Sequence, residues 1–213
     1  MLMKDRVLLI QDYFERLYPD ADCELNFKTP FQLLIAVMLS AQTTDKAVNK
    51  VTEVLFEQYP DVFLMDQASQ KELEEIIKKI GLYKNKAKNI KGITSKLITQ
   101  YNGEVLCDRK VLESLPGVGR KTANVVLSVG FNVPAFAVDT HVERVSKRLK
   151  LAYDKDNVRT VENKLMNKFS KEKWNKLHHQ FIFFGRYFCM ARTPKCRECE
   201  LLNICKIGQN NIE

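Results

Sequence analysis

Turn-forming residues are scarce in this chain. It has 8 glycines and 6 prolines in 213 residues, about half the usual ~12% share. A sandwich or barrel needs a tight turn every few residues, and a collagen-like or linker-rich chain needs far more, so the scarcity excludes these and favours helices. Paired alternating strands joined by Asn-Gly or Asp-Gly are also missing. So are long apolar runs. The longest is Leu33-Leu34-Ile35-Ala36-Val37-Met38-Leu39, far short of the roughly 20 residues that span a bilayer. The opening residues Met1-Leu2-Met3-Lys4-Asp5-Arg6 precede neither an apolar stretch nor a small-residue cleavage site. They read as no secretory signal, and a cytoplasmic, nucleoid-associated protein is expected.

What is present is a globular composition, 45% hydrophobic and 28% charged. Such a chain can bury a core without disulfides. A formal net charge of +8 suits a polyanionic partner, nucleic acid or an anionic membrane surface, but charge alone fits an ordinary basic enzyme equally well. Apolar residues recur at helical spacing in four places: Ala47, Val51, Val54 and Leu55; Leu73, Ile76, Ile77 and Ile80; Val142, Val145 and Leu149; and Trp174, Leu177, Phe181, Phe184 and Phe188. Leu33–Leu39 is apolar all round and reads as a helix buried on most sides. Tyr101-Asn102-Gly103 reads as a helix stop.

Leu115-Pro116-Gly117-Val118-Gly119-Arg120-Lys121-Thr122-Ala123 reads as a tight turn between a short helix at Val111–Ser114 and a second starting near Thr122. Both glycines permit positive φ. They also let a phosphate approach the backbone N–H groups without meeting a Cβ, while the helix start adds partial positive charge. Such contacts hold a nucleic acid without reading its sequence. Ile80-Gly81-Leu82-Tyr83-Lys84-Asn85-Lys86-Ala87 is a weak echo of the same pattern. Lys121 lies in the first turn after the hairpin. The helix dipole and Arg120 both disfavour its ammonium form and so favour the neutral amine that a nucleophile requires; a second phosphate contact is the other reading. Farther on, Thr140 and Glu143 fit a capping box opening a helix, with Asp139 at or just before the cap. Asp139 is either a cap acceptor or a carboxylate that stabilises a developing cation or takes up a proton.

The cysteines divide unevenly. Cys23 and Cys107 are isolated and are expected to be buried thiols. Cys189, Cys196, Cys199 and Cys205 form a C-x6-C-x2-C-x5-C cluster. Without a secretory signal, the cluster reads as a metal site before a disulfide framework. Four thiolates leave zinc and a [4Fe–4S] cluster as candidates. Having only one close pair leans toward iron–sulfur. Arg192, Lys195 and Arg197 stud the loop, a composition suited to gripping phosphates.

The hairpin, then Val138-Asp139-Thr140-His141-Val142, then the cysteines, in this order, resemble the endonuclease III family of helix–hairpin–helix DNA glycosylases. Leu39-Ser40-Ala41-Gln42-Thr43-Thr44-Asp45 and Gly81-Leu82-Tyr83 resemble it too. The resemblance runs from about residue 20 to Cys205. It implies an all-α fold of two helical domains flanking a DNA-binding cleft. Residues 22–134 would form a six-helix barrel, and 1–21 plus 135–213 a domain holding a [4Fe–4S] cluster on Cys189, Cys196, Cys199 and Cys205. It implies that Lys121 is the nucleophile and Asp139 the catalytic carboxylate. Gln42 would enter the gap left by an extruded base, and Leu82 would wedge into the opposite strand. Gly117, Gly119, Arg192 and Lys195 complete the expected DNA contacts.

The implied activity is removal of oxidised pyrimidines and nicking of the strand by β-elimination through a lysine Schiff base. The expected partner is double-stranded DNA carrying damaged bases or abasic sites, with no membrane, and the expected state is a monomer. A related adenine glycosylase would lack the lysine and usually carries a further C-terminal domain, whereas this chain has Lys121 and ends eight residues after Cys205. A non-catalytic DNA-binding module with a structural metal would need neither Lys121 nor Asp139.

Overall fold

The computed structural model describes residues 1–208; the last five positions of the expected 135–213 segment lie outside them. The chain divides into two compact units. One is discontinuous, Met1–Cys23 with Pro134–Glu213, and the other continuous, Glu24–Val133. Both are helical, and no strand occurs among the described residues. No helix among them is long and apolar enough to cross a membrane.

Helix α1 (Met3–Leu17) opens the discontinuous unit and buries Val7, Ile10, Tyr13 and Phe14 along one stripe. The continuous unit begins with α2 (Pro30–Leu39). Thr29 caps it by accepting the Gln32 N–H, and Pro30 occupies its first turn, where a missing N–H costs nothing. Every residue from Phe31 to Leu39 is buried, as expected of a helix apolar on all faces. Its neighbours include α3 (Asp45–Gln58), which buries Val48, Val51, Thr52 and Leu55. That face is centred one position later than the expected stripe, so Ala47 is half-buried and Val54 is exposed. Two short helices follow, α4 (Val62–Gln67) and α5 (Gln70–Ile77), the latter held by a Ser69/Glu72 capping box. Ile80 is buried beyond the end of α5.

The long α6 (Tyr83–Tyr101) packs on α4 and α5. It ends at the expected stop. Asn102 is left-handed, Gly103 has φ +82°, and the Gly103 N–H donates to Leu97 O at 2.9 Å. Then come α7 (Arg109–Glu113), capped by Asp108, and α8 (Arg120–Val125), which runs into a wider π turn over Val126–Gly130. Cys107 lies in the loop before the Asp108 cap and is exposed, and Cys23 is half-buried. The expected burial of both thiols is therefore corrected: neither sits on a helix face that turns inward.

The chain then returns to the discontinuous unit as α9 (Thr140–Arg148), α10 (Val158–Lys168) and α11 (Trp174–Phe183). A π turn over Phe184–Phe188 continues α11. The expected stripe on this stretch is buried at Leu177, Phe181, Phe184 and Phe188. Phe14 meets Phe181 edge-on with centroids 4.9 Å apart, and Phe136 joins them. Each such ring contributes about 1.5–3 kcal/mol on burial.

Candidate functional site

The hairpin forms where the sequence places it, between α7 and α8. Leu115 and Val118 are buried and anchor it, while Gly117 and Gly119 face solvent. Only Gly117 uses the left-handed region, at φ +73°. A Cβ there would stand 2.3 Å from the Asn89 side-chain nitrogen on α6. Gly119 is the N-cap of α8 with φ −95°. The expectation that it too supports a positive φ is corrected: it needs no special conformation. What it offers is access. A Cβ at Gly119 would find nothing within 4 Å, and no side chain caps α8. The first turn of α8 therefore presents its backbone openly, with a helix's partial positive charge behind it. Lys121 is exposed in that turn. Its register is set by the buried Ala123, Asn124 and Val125 that follow.

Gln42 and Leu82 share an unusual trait. Both are exposed non-glycine residues with positive φ, +55° and +59° respectively. A left-handed L-residue costs about 1–2 kcal/mol, and such strain concentrates where chain tips must present a side chain. Leu82 is 55% exposed at the N-terminal boundary of α6. Gln42 tips the loop leaving α2, closed by the Thr43 N–H on Ser40 O at 3.1 Å.

Helix α6 supports all of these tips. Lys86 donates to Thr43, next to Gln42, at 2.8 Å. Asn89 lies under Gly117, and Gly92 lies so close to Pro116 that a Cβ would reach within 2.8 Å of its ring. Nothing in the sequence echo at Ile80–Ala87 assigns Lys86 a role, although its spacing to Ile90, Ile93 and Leu97 puts it in register with the buried face of α6. Burial lowers the pKa of its ammonium from the ordinary lysine value.

In the discontinuous unit, Asp139 is itself the N-cap of α9. Its Oδ1 accepts the His141 and Val142 N–H groups, each at 2.9 Å. The expected Thr140/Glu143 box is corrected accordingly. With the cap one residue earlier, Glu143 falls one position too far along for a capping box and pairs instead with Lys147 at 2.6 Å. The two amides occupy one carboxylate oxygen of Asp139, and the group is half-buried.

Cys189, Cys196, Cys199 and Cys205 line one pocket, walled mainly by Leu149, Phe184, Phe188 and Leu202. None is in a disulfide. No three His, Cys, Asp or Glu side chains among the described residues converge closely enough for a single metal ion. Four soft cysteine donors around one apolar pocket are chemically suited to an iron–sulfur group. Burial pushes the Cys199 thiol up to about 11, and burial also raises Cys189 against the opposing pull of Arg148.

Arg148 stands in the last turn of α9. Its guanidinium donates to Cys189 Sγ at 3.2 Å, to Met190 O at 2.8 Å and to Ala191 O at 3.0 Å. Arg6 of α1 adds donations to Leu149 O at 3.0 Å and Ile204 O at 2.7 Å. Arg192 and Lys195 are exposed on the loop, with the Lys195 ammonium 6.0 Å from the Phe188 ring centre.

Comparison with known proteins accords with this assembly. Residues 35–171 match the HhH-GPD superfamily of base excision DNA repair proteins. The chain is 53% identical over 211 residues to endonuclease III of Bacillus subtilis, covering 98% of this chain and 95% of that one. It is 47% identical over 188 residues to endonuclease III of Escherichia coli, covering 88% and 89%. Among solved structures, a trapped covalent endonuclease III–DNA intermediate matches with a TM-score of 0.96 and 52% identity over the full length of both chains. A thermostable thymine-DNA glycosylase, 23% identical over 97% of this chain and 98% of its own, shares the fold with a TM-score of 0.88. Hairpin, cysteine pocket and relatives agree: this chain belongs to the endonuclease III family of the HhH-GPD superfamily of base excision DNA repair proteins.

Proposed function

We propose that this protein excises oxidised pyrimidines from double-stranded DNA and then nicks the strand at the resulting abasic site, with Lys121 as the nucleophile. The observation that carries the reading is the exposed amine of Lys121 on the open, uncapped first turn of α8, in a chain 52% identical over its whole length to a protein trapped covalently on DNA. A base inside the stack cannot be reached at its glycosidic bond, so the nucleotide must be flipped out. Gln42 then fills the vacated space and Leu82 wedges the opposite strand. The α8 end of the hairpin, with Arg192 and Lys195, takes phosphates irrespective of sequence.

Lys121 Nζ attacks C1′ of the deoxyribose through its lone pair. The C1′–N bond breaks and the base leaves with the bonding pair. Loss of a proton from nitrogen and opening of the sugar ring give a C1′ Schiff base, which acidifies the C2′ hydrogens. Removal of one expels the 3′-phosphate by β-elimination, and water then releases the lysine. Asp139 takes up a proton or stabilises positive charge on the sugar. Its second carboxylate oxygen is not used by the two amides of the cap.

Cys189, Cys196, Cys199 and Cys205 would hold a [4Fe–4S] cluster. With every ligand a cysteine, it would supply a covalent cross-link that stiffens the basic loop. A soluble cytoplasmic protein working at the nucleoid as a monomer fits this reading.

Borohydride reduction in the presence of an abasic-site duplex tests the nucleophile. The parent protein is expected to become covalently attached to the DNA and Lys121→Ala is not. A mutant that traps as well as the parent overturns the assignment.

A further inference from the structure

Four positions of α6 and its boundary, Leu82, Lys86, Asn89 and Gly92, are spaced four, three and three residues apart and so share one face of the helix. Leu82 presents its side chain to solvent at one end. Asn89 and Gly92 lie against the hairpin. Lys86 stands between them, 3% exposed. Its N–H donates to Leu82 O at 3.0 Å, and its ammonium donates to Thr43 Oγ1 at 2.8 Å. Thr43 directly follows Gln42, and its hydroxyl also donates to Ala41 O at 3.4 Å on the other side of that residue. The loop carrying Gln42 and the turn carrying Leu82 are thus joined through one residue, its side chain bonded to the first and its backbone N–H to the second.

We propose that Lys86 is a positioning residue that locks the Gln42 loop to the Leu82 turn, so that the two side chains are presented to a duplex at a fixed spacing. The inference rests on the reading that Gln42 and Leu82 enter the duplex. Three features support it. Burying an ammonium against a neutral hydroxyl costs stability that a methionine of similar volume would not. Leu82, and Gln42 beside the bonded Thr43, both hold left-handed backbone, which persists only where the surroundings over-determine it. Finally, the bond spans 43 positions of sequence, so it joins two separate loops rather than closing one.

The test compares borohydride trapping on an abasic-site duplex with trapping on the same abasic strand alone, where no stack or opposite strand remains to be entered. The variants are Lys86→Met and Thr43→Val, which remove donor and acceptor at nearly constant volume, and the double variant. Each is expected to lower duplex trapping about tenfold, as for a lost hydrogen bond from a charged donor. Single-strand trapping should stay within about twofold of the parent, and Lys86→Met should melt no lower than the parent. The double variant should be no worse than either single one, because both remove the same bond. Equal losses on both substrates, additive losses, or no loss on the duplex overturn the proposal. Gln42→Ala and Leu82→Ala serve as references. If both lower the duplex-to-single-strand ratio while Lys86→Met does not, only the role of Lys86 fails. If neither lowers it, the underlying reading of the two tips fails as well.

Discussion

Replacing each hairpin glycine by alanine separates conformation from access. At Gly117, φ is +73° and the new Cβ would lie 2.3 Å from Asn89 Nδ2 and 2.9 Å from its Cγ. The left-handed backbone alone costs about 1–2 kcal/mol in an L-residue, and Asn89 must also move. A loss of about 2 kcal/mol or more follows, which for a chain of this size lowers the melting temperature by about 4–8 °C. At Gly119, φ is −95° and the new Cβ meets nothing. The fold loses only the modest preference of an N-cap for glycine over alanine, about 1 kcal/mol at most. The methyl group does, however, stand where a phosphate would approach the first turn of α8. Losing one such charge-assisted contact weakens binding about tenfold or more, and equally for all sequences, because no base is read. Circular dichroism melting and fluorescence anisotropy on a duplex with an abasic-site analogue measure the two effects. Gly119→Ala binding as tightly as the parent, or melting below Gly117→Ala, would refute the division of roles.

Two further outcomes follow from the discontinuous unit. Asp139→Asn keeps an amide oxygen to cap α9 and is expected to fold and bind DNA normally while losing most turnover; Asp139→Ala should in addition cost about 0.5–2 kcal/mol of stability. Turnover retained in the asparagine variant would show that the carboxylate acts chiefly as a cap. The purified protein should be brown and carry about four iron atoms per chain, measured by absorbance and metal analysis, and one tightly bound zinc instead would overturn the cluster assignment.

Legibility from sequence followed a simple physical division. Features set by local chemistry were readable: the all-round apolar Leu33–Leu39 gave a helix buried along its length, and Asn102-Gly103 ended α6 through left-handed backbone. Features set by which of two similar groups wins a contact were not. Thr140 and Asp139 both suit an N-cap, and the carboxylate took the position. Two glycines in one hairpin look alike on paper, yet only one is needed for its φ. Long-range partners were the least visible. Nothing near Lys86 in sequence announces Thr43, and nothing near Arg148 announces the Cys189 sulfur. The clue at Lys86 was a misfit, a cation in register with Ile90, Ile93 and Leu97.

Building one unit from two segments more than a hundred residues apart constrains the order in which its core can close. Ile10 and Phe14 are fully covered in the finished molecule, but the aromatic residues that cover Phe14 lie beyond residue 180. At ribosomal speeds of about 5–20 residues per second, α1 waits roughly 10–30 s for them. Glu24–Val133, by contrast, is uninterrupted and can finish while synthesis continues. Arg6 has a similar wait, since its acceptor at Ile204 is made 198 residues later. During that interval α1 is an exposed amphipathic segment, and its protection becomes a task for the cell rather than for the fold.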